Sequence, residues 1–300
     1  LIAFVHIWKT AGTTFTQLLR HHYGIRHFDR PGFRHRPLSA NDLRHIRRVY
    51  PGLKSIGGHP VRPHADLHHA APNIRYHSFL RDPLDRSISH FTWFLRWKAH
   101  DGVLYDDFEE TMKRWALAEE NRNLQCRFFH PAATVASAQA VTRQHPTLLL
   151  RVDRFDASLL LFRQWAEAPE MDLHYLPRNT STDKYERLQD SHPEYLKRVT
   201  DFRSMLKKDA GLQEILLEAN QEDQALVTWA EEDVWPRQVK DYPGNLEADT
   251  VAFQQENQLT KQEPQEPAFA RFYRNTVFKP FKRLLLPQDE PEEVQASEWL

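Results

Sequence analysis

A lysine, three threonines and a glycine crowd the stretch Lys9-Thr10-Ala11-Gly12-Thr13-Thr14. These are the parts of an anion seat. Lys9 brings a full charge, Gly12 lets a backbone approach its ligand closely, and the hydroxyls of Thr10, Thr13 and Thr14 are donors. A second such group is formed by Arg81 and Ser89, eight positions apart. Arginine gives a planar fork of donors and serine a neutral one, so the pair suits a single phosphate. Between them lies His59, in the run Gly57-Gly58-His59-Pro60-Val61. An imidazole titrates near neutral pH and can take a proton from an alcohol.

Each group needs an element to hold it. Leu1 to Ile7 is a short apolar run rich in β-branched and aromatic residues, the pattern of a buried strand. Helical spacing follows at Phe15, Leu18 and Leu19, so the basic turn opens a helix whose unpaired N–H groups attract anions. Ile74 to Leu80 is a second apolar strand, Pro83 starts the next helix, and Ile88, Phe91, Phe94 and Leu95 carry it onward. The lysine precedes the glycine, so GxxxxGK[ST], the triphosphate loop, is absent. Taken alone, the first turn also reads as a plain helix cap.

Together the stretches resemble a known family. HIWKTAGTTF is similar to the 5′-phosphosulfate loop of sulfotransferases that use 3′-phosphoadenosine 5′-phosphosulfate (PAPS), and FLRDPLDRSISHF to their 3′-phosphate motif. The version matched is that of the heparan sulfate 2-O- and 6-O-sulfotransferases and their bacterial relatives. The resemblance implies an α/β fold, a P-loop NTPase-like three-layer α/β/α arrangement with a central parallel sheet. It implies PAPS as co-substrate, adenosine 3′,5′-bisphosphate as product and no metal. Lys9, Thr10, Ala11, Gly12, Thr13, Thr14, Arg81 and Ser89 would then bind the nucleotide, with Lys9 also stabilising the leaving oxygen. GGHPVRPHADL puts His59 at the family's general base, whereas the second histidine of the 2-O enzymes is replaced by Gly57. Trp8 stands where the family has Pro or Gln. Asn121 to Arg127 resembles the segment beside the acceptor cleft, so Gln125 and Arg127 become acceptor contacts or structural residues. LPRNTSTDKY resembles the loop that closes over PAPS and brings Ser181 and Thr182 to the nucleotide. The acceptor implied is a hydroxyl of a glycan.

Composition sets the frame. Three hundred residues are enough for one large α/β domain, and no apolar run is long enough for a membrane span. The single cysteine, Cys126, excludes an internal disulfide and suits a reducing compartment. The expected location is cytoplasmic, or the Golgi lumen if an N-terminal anchor has been trimmed. Residues 1–100 carry 16 Lys/Arg against 5 Asp/Glu, and 13 of the 17 histidines. That basic part suits a polyanionic donor, and no nucleic-acid module accompanies it. His64 and His68 could share a metal by spacing, but no third ligand completes a known pattern.

Further along, Ser39 to Asp42 reads as the cap of a short helix, and Tyr105 to Arg127 as helical. The aromatic residues Phe91, Trp93, Phe94 and Trp97 read mainly as core, with sugar stacking as the other use. Ala132 to Gln144 is a helix, Thr147 to Val152 a buried strand, and Asp153 a turn or helix-start residue. The sulfotransferase-like part runs over residues 1–235. Residues 236–300 read as an extension, with a Gln-, Glu- and Pro-rich linker over 241–267. Phe269 to Leu286 is basic and aromatic, a segment for packing on its own domain, for self-association or for weak membrane contact. Two rival functions are a P-loop kinase for a small metabolite and a non-catalytic relative that binds nucleotide or polysaccharide.

Overall fold

In the computed structural model, residues 1–29, 36–50, 52–176, 192–259 and 264–278 are described. Five parallel strands form one sheet in the order β2-β3-β1-β4-β5: β1 (Ile2–Val5), β2 (His27–Asp29), β3 (Ser55–Gly58), β4 (Arg75–Leu80) and β5 (Thr147–Arg151). Helices α1 (Gly12–Tyr23), α2 (Ala40–Val49), α3 (Pro83–His100), α4 (Phe108–Leu117), α5 (Leu124–Phe129), α6 (Val135–Gln144) and α7 (Phe155–Trp165) follow the strands in chain order. The fold is α/β with helices on both sheet faces.

Alternation along β1 shows why both faces are covered. Ile2 and Phe4 point into a core with Phe15 and Leu18 of α1 and Leu159 and Phe162 of α7. Ala3 and Val5 point into another, with Leu43 and Ile46 of α2, Phe128 and Phe129 of α5 and Ala138 of α6. A third cluster joins the far half of α3 to α4 and to the helices Pro193–Leu206 and Ala210–Glu218. Chain order reverses at β1, whose neighbours are β3 on one side and β4 on the other. The carboxyl ends of strands at such a reversal leave a crevice. Lys9, His59 and Arg81 each follow one of these three strands.

Several local expectations change. Strand β2 lies in a stretch whose polarity hides it, and its three residues gain order from parallel pairing with β3. The helical reading of Tyr105 to Arg127 breaks into α4 and α5: α4 stops where Ala118 turns extended, with ψ 133°, and α5 starts after Asn123, whose φ of 46° is left-handed. The expected linker contains a helix, Leu246–Gln258, held on α7 by buried Phe253 and by Gln254 Nε2 donating to Asp156 at 2.9 Å. Only Leu246 and Phe253 of that helix are buried, too few to stand out as a periodic pattern. The described part of the basic aromatic segment packs on this same chain. Phe278 meets Phe28 and Tyr50, and the Tyr273 hydroxyl donates to the Val49 carbonyl. Residues 279–286 of that segment lie outside the described residues. Among the described residues no helix is long and apolar enough to cross a membrane.

Candidate active site

The turn after β1 is shaped by its backbone. Lys9 and Ala11 hold left-handed φ values of 67° and 60°, unusual for residues with a Cβ. Alternating handedness of this kind curls successive N–H groups into an anion-binding concavity. Helix α1 then starts without a side-chain cap and without an acid in its first turn. The N–H groups of Gly12, Thr13 and Thr14 therefore have no acceptor within the helix. Thr13 is exposed and Thr14 half-buried. Thr10 differs from its expected use: it is buried and its Oγ1 donates to the Ile7 carbonyl at 3.0 Å. Its hydroxyl braces the turn, so only its backbone remains for a ligand. Gly12 is dictated by packing as well, since a Cβ there would lie 2.0 Å from His6 Nε2.

The second corner abuts the first. Arg81 opens the turn after β4, and its Nη1 donates to the Lys9 carbonyl at 3.1 Å. Asp82 caps α3 by accepting from the Asp85 N–H at 2.8 Å, with Pro83 in the first turn. Ser89 lies half-buried in the second turn of that helix. Beneath them, Gln125 is fully buried, and both ends of its amide are committed. Its Oε1 accepts from the Arg81 N–H at 3.0 Å and its Nε2 donates to the Arg81 carbonyl at 2.9 Å. Of the two expected uses of Gln125, acceptor contact or structural residue, these bonds give it the structural one: it clamps the backbone of Arg81. Asp223 in turn accepts from the N–H groups of Gln125 and Cys126, at 2.9 and 2.8 Å. Arg86, entirely buried, lies 4.0 Å from the Asp223 carboxylate and bonds to Asn220 at 3.1 Å. Burial pushes the Asp223 carboxyl up and the Arg86 guanidinium down to about 10.

His59 follows β3. The β1–β3 register pairs Phe4 with Gly57 and Val5 with Gly58, which brings the next residues, His6 and His59, face to face. Their ring centroids are 4.3 Å apart. His59 Nδ1 lies 2.6 Å from the His6 carbonyl, an oxygen that can only accept. The hydrogen therefore sits on Nδ1, and Nε2 keeps the lone pair that a base requires. Burial pushes the His59 imidazole down to about 4; the His6 carbonyl opposes this and the charge of Arg62 adds to it. The expected titration near neutrality gives way to a ring that is neutral at physiological pH. His6 itself stacks on Phe4 with centroids 5.2 Å apart and is held neutral by burial and by His59.

More groups surround His59 than the sequence suggested. Trp8 stands edge-on to it at 5.6 Å and to Phe128 at 6.1 Å. Arg62 lies over the Phe128 ring at 3.4 Å. Arg127 reaches the exposed Glu119 at 3.2 Å. Lys9, Gly12, Thr13, Thr14, His59 and Arg81 thus gather at the ends of three neighbouring strands, while Ser181 and Thr182 lie outside the described residues. His6 and Arg62 went unnoticed in the sequence. The run of histidines and arginines around them gave no reason to prefer these two. His64 Nδ1 bonds to the Phe129 carbonyl at 2.9 Å, and Asp153 pairs with Arg151 at 2.9 Å.

No protein-family model matches the chain, and no curated protein does. Among solved structures, the chain is similar to a sulfotransferase from Alicyclobacillus acidocaldarius at 13% identity, with 71% of this chain and 98% of that one covered. The TM-score of that match is 0.33.

Proposed function

We propose that the protein transfers a sulfuryl group from PAPS to a hydroxyl of an acceptor, a carbohydrate by family likeness, with His59 as the base. One observation carries this reading: the Arg81 guanidinium bonds the carbonyl of Lys9, so the two anion corners share one crevice. A donor with anionic groups at both ends of one adenosine needs that arrangement. Lys9 and the N–H groups of Gly12, Thr13 and Thr14 hold the 5′-phosphosulfate and stabilise charge on its leaving oxygen. The backbone around Thr10 and Ala11 shapes that seat. Arg81 and Ser89 hold the 3′-phosphate, and Ser181 and Thr182 belong to the nucleotide side by resemblance.

PAPS supplies the sulfuryl group. The acceptor oxygen forms its bond to sulfur as the bond from sulfur to the phosphate oxygen breaks. His59 Nε2 takes the hydroxyl proton, and adenosine 3′,5′-bisphosphate leaves. As in loose phosphoryl transfer, positioning and charge stabilisation do most of the work.

Labelled PAPS incubated with desulfated polysaccharides and small alcohols tests the reading. Label should appear in an acceptor, and Lys9→Ala and His59→Ala should each abolish it. Turnover of ATP with magnesium, without label transfer from PAPS, would favour a kinase. Binding of adenosine 3′,5′-bisphosphate without transfer to any acceptor would favour a non-catalytic relative.

A further inference from the structure

The C-terminal segment has an inner side and an outer side. Its short helix, Ala268–Phe272, runs on into a wider helical turn, Tyr273–Phe278. Inward, Ala270 and Phe278 are buried, Pro267 and Ala270 lie beside Gly24, and the Tyr273 hydroxyl holds the Val49 carbonyl. Outward, Phe269 is 63% and Phe272 57% exposed. Three residues apart, they share one helical face. The inner contacts hold the helix in place and leave both rings facing water.

The charge of this segment is of one sign. Between residues 264 and 278 the only acid is Glu266, which is buried and paired with Arg274. Arg271 is exposed between the two phenylalanines, and Arg26 is exposed on the turn Gly24–Arg26, against which the helix packs. In sequence the segment continues with Lys279, Phe281, Lys282, Arg283 and Leu284 to Leu286, with no acid before Asp289.

Scattered single apolar residues on a surface are ordinary, but a pair of exposed phenylalanines set among cations calls for a partner. A second copy of the chain meeting the same face would bring Arg271 and Arg26 against their own counterparts. A nucleic-acid strand would answer the cations, and bases could stack on the rings, but the aliphatic run Leu284 to Leu286 has no use there. A bilayer with anionic headgroups answers all of these. Aromatic rings enter the boundary between headgroups and acyl chains while cations stay with the phosphates.

We propose that Phe269, Arg271 and Phe272 form the point at which the protein rests on an anionic lipid surface, with the basic, apolar run after Phe278 adding to the same contact. The attachment is peripheral and reversible, since two rings and a few cations bury far less apolar area than a spanning helix does. It is independent of the sulfuryl-transfer reading.

Co-sedimentation of the full chain with lipid vesicles tests this. Partition onto phosphatidylcholine vesicles containing about a third phosphatidylglycerol should exceed partition onto phosphatidylcholine alone by about tenfold or more, and added salt should lower it. Phe269→Ser with Phe272→Ser should reduce it by about tenfold or more, whereas Phe269→Trp with Phe272→Trp should keep it. Arg271→Gln should reduce it by about fivefold, the share of one cation near a charged surface. Thermal unfolding should be unchanged in all three variants, because the altered side chains face water. No binding to the anionic vesicles overturns the proposal. So does equal partition onto the neutral ones, or a double serine variant that binds as the unaltered chain does. A dimer seen by light scattering, or a single-stranded oligonucleotide bound, overturns it if the double serine variant loses that partner and the unaltered chain ignores vesicles.

Discussion

The guanidinium of Arg81 donates to the main-chain carbonyl of Lys9 across 3.1 Å, joining the turn after β4 to the turn after β1. That bond leaves the rest of the Arg81 fork available and fixes its distance from the anion seat. Burial lowers the proton affinity of Arg81, with Asp85 as the leading opposing influence. An arriving phosphate would restore the charge partner that burial removes. Arg81→Gln should therefore weaken adenosine 3′,5′-bisphosphate by about ten- to a hundredfold, the range expected for a lost charge-assisted contact. Equilibrium titration checks this, with adenosine 5′-phosphate as control. The loss should be smaller for that control, which lacks the 3′-phosphate.

Gln125 offers a way to disturb Arg81 without touching it. Gln125→Ala removes both bonds to the Arg81 backbone and leaves a buried N–H and carbonyl unsatisfied. Stability should fall by about 2–3 kcal/mol in urea unfolding. Nucleotide affinity should fall with it, since the loop that carries Arg81 loses its clamp. Gln125→Glu should restore less than the native amide, because its carboxylate faces a carbonyl where the amide donated.

Gly12 and His6 are coupled by contact. A Cβ at residue 12 would stand 2.0 and 2.1 Å from Nε2 and Cδ2 of His6, and that ring is held by Phe4 and His59. Gly12→Ala should cost about 1–3 kcal/mol, the scale of overpacking. His6→Ala in the same chain should recover most of that loss. A double-mutant cycle from unfolding curves measures the coupling.

His59 should titrate near pH 4 in the free protein, as seen by NMR of its ring protons, because burial disfavours the imidazolium. The value should rise when adenosine 3′,5′-bisphosphate binds, since the nucleotide brings negative charge. His59→Asn should reduce the transfer rate by about a hundredfold or more, the contribution of a positioned general base.

Acid sensitivity of folding follows from other histidines. His77 is fully buried, stacks on Phe4 and has neither ring nitrogen hydrogen-bonded among the described residues. Burial holds its folded pKa well below 6.5. His27 is pushed to about 4, and His90 is also well lowered, both chiefly by burial. In the unfolded chain these rings take protons as pH falls through about 6.5, while the folded rings do not. Stability is therefore fully present above that pH and declines below it, by about 1.4 kcal/mol per pH unit for each such ring. His77→Leu should flatten that decline by one ring's share, measured by urea unfolding between about pH 6.5 and 5.

Local signals were legible from the chain alone. Short apolar runs marked β1, β4 and β5, Pro83 and the Ser39–Asp42 capping box marked helix starts, and the residues of both anion corners stood beside the strand ends. Those features are set within a few residues by propensity, periodicity and capping, so sequence suffices for them. What lay beyond it are meetings of distant segments. The parallel register of β1 and β3 decides that His6 faces His59, and the seating of α5 decides that Gln125 grips Arg81 and that Phe128 receives Arg62. The same holds for the C-terminal segment, whose Phe278 closes over Phe28 of a strand too short to announce itself. Sheet pairing and helix packing act between residues far apart in sequence, and no pattern within one stretch encodes which partner another stretch will bring.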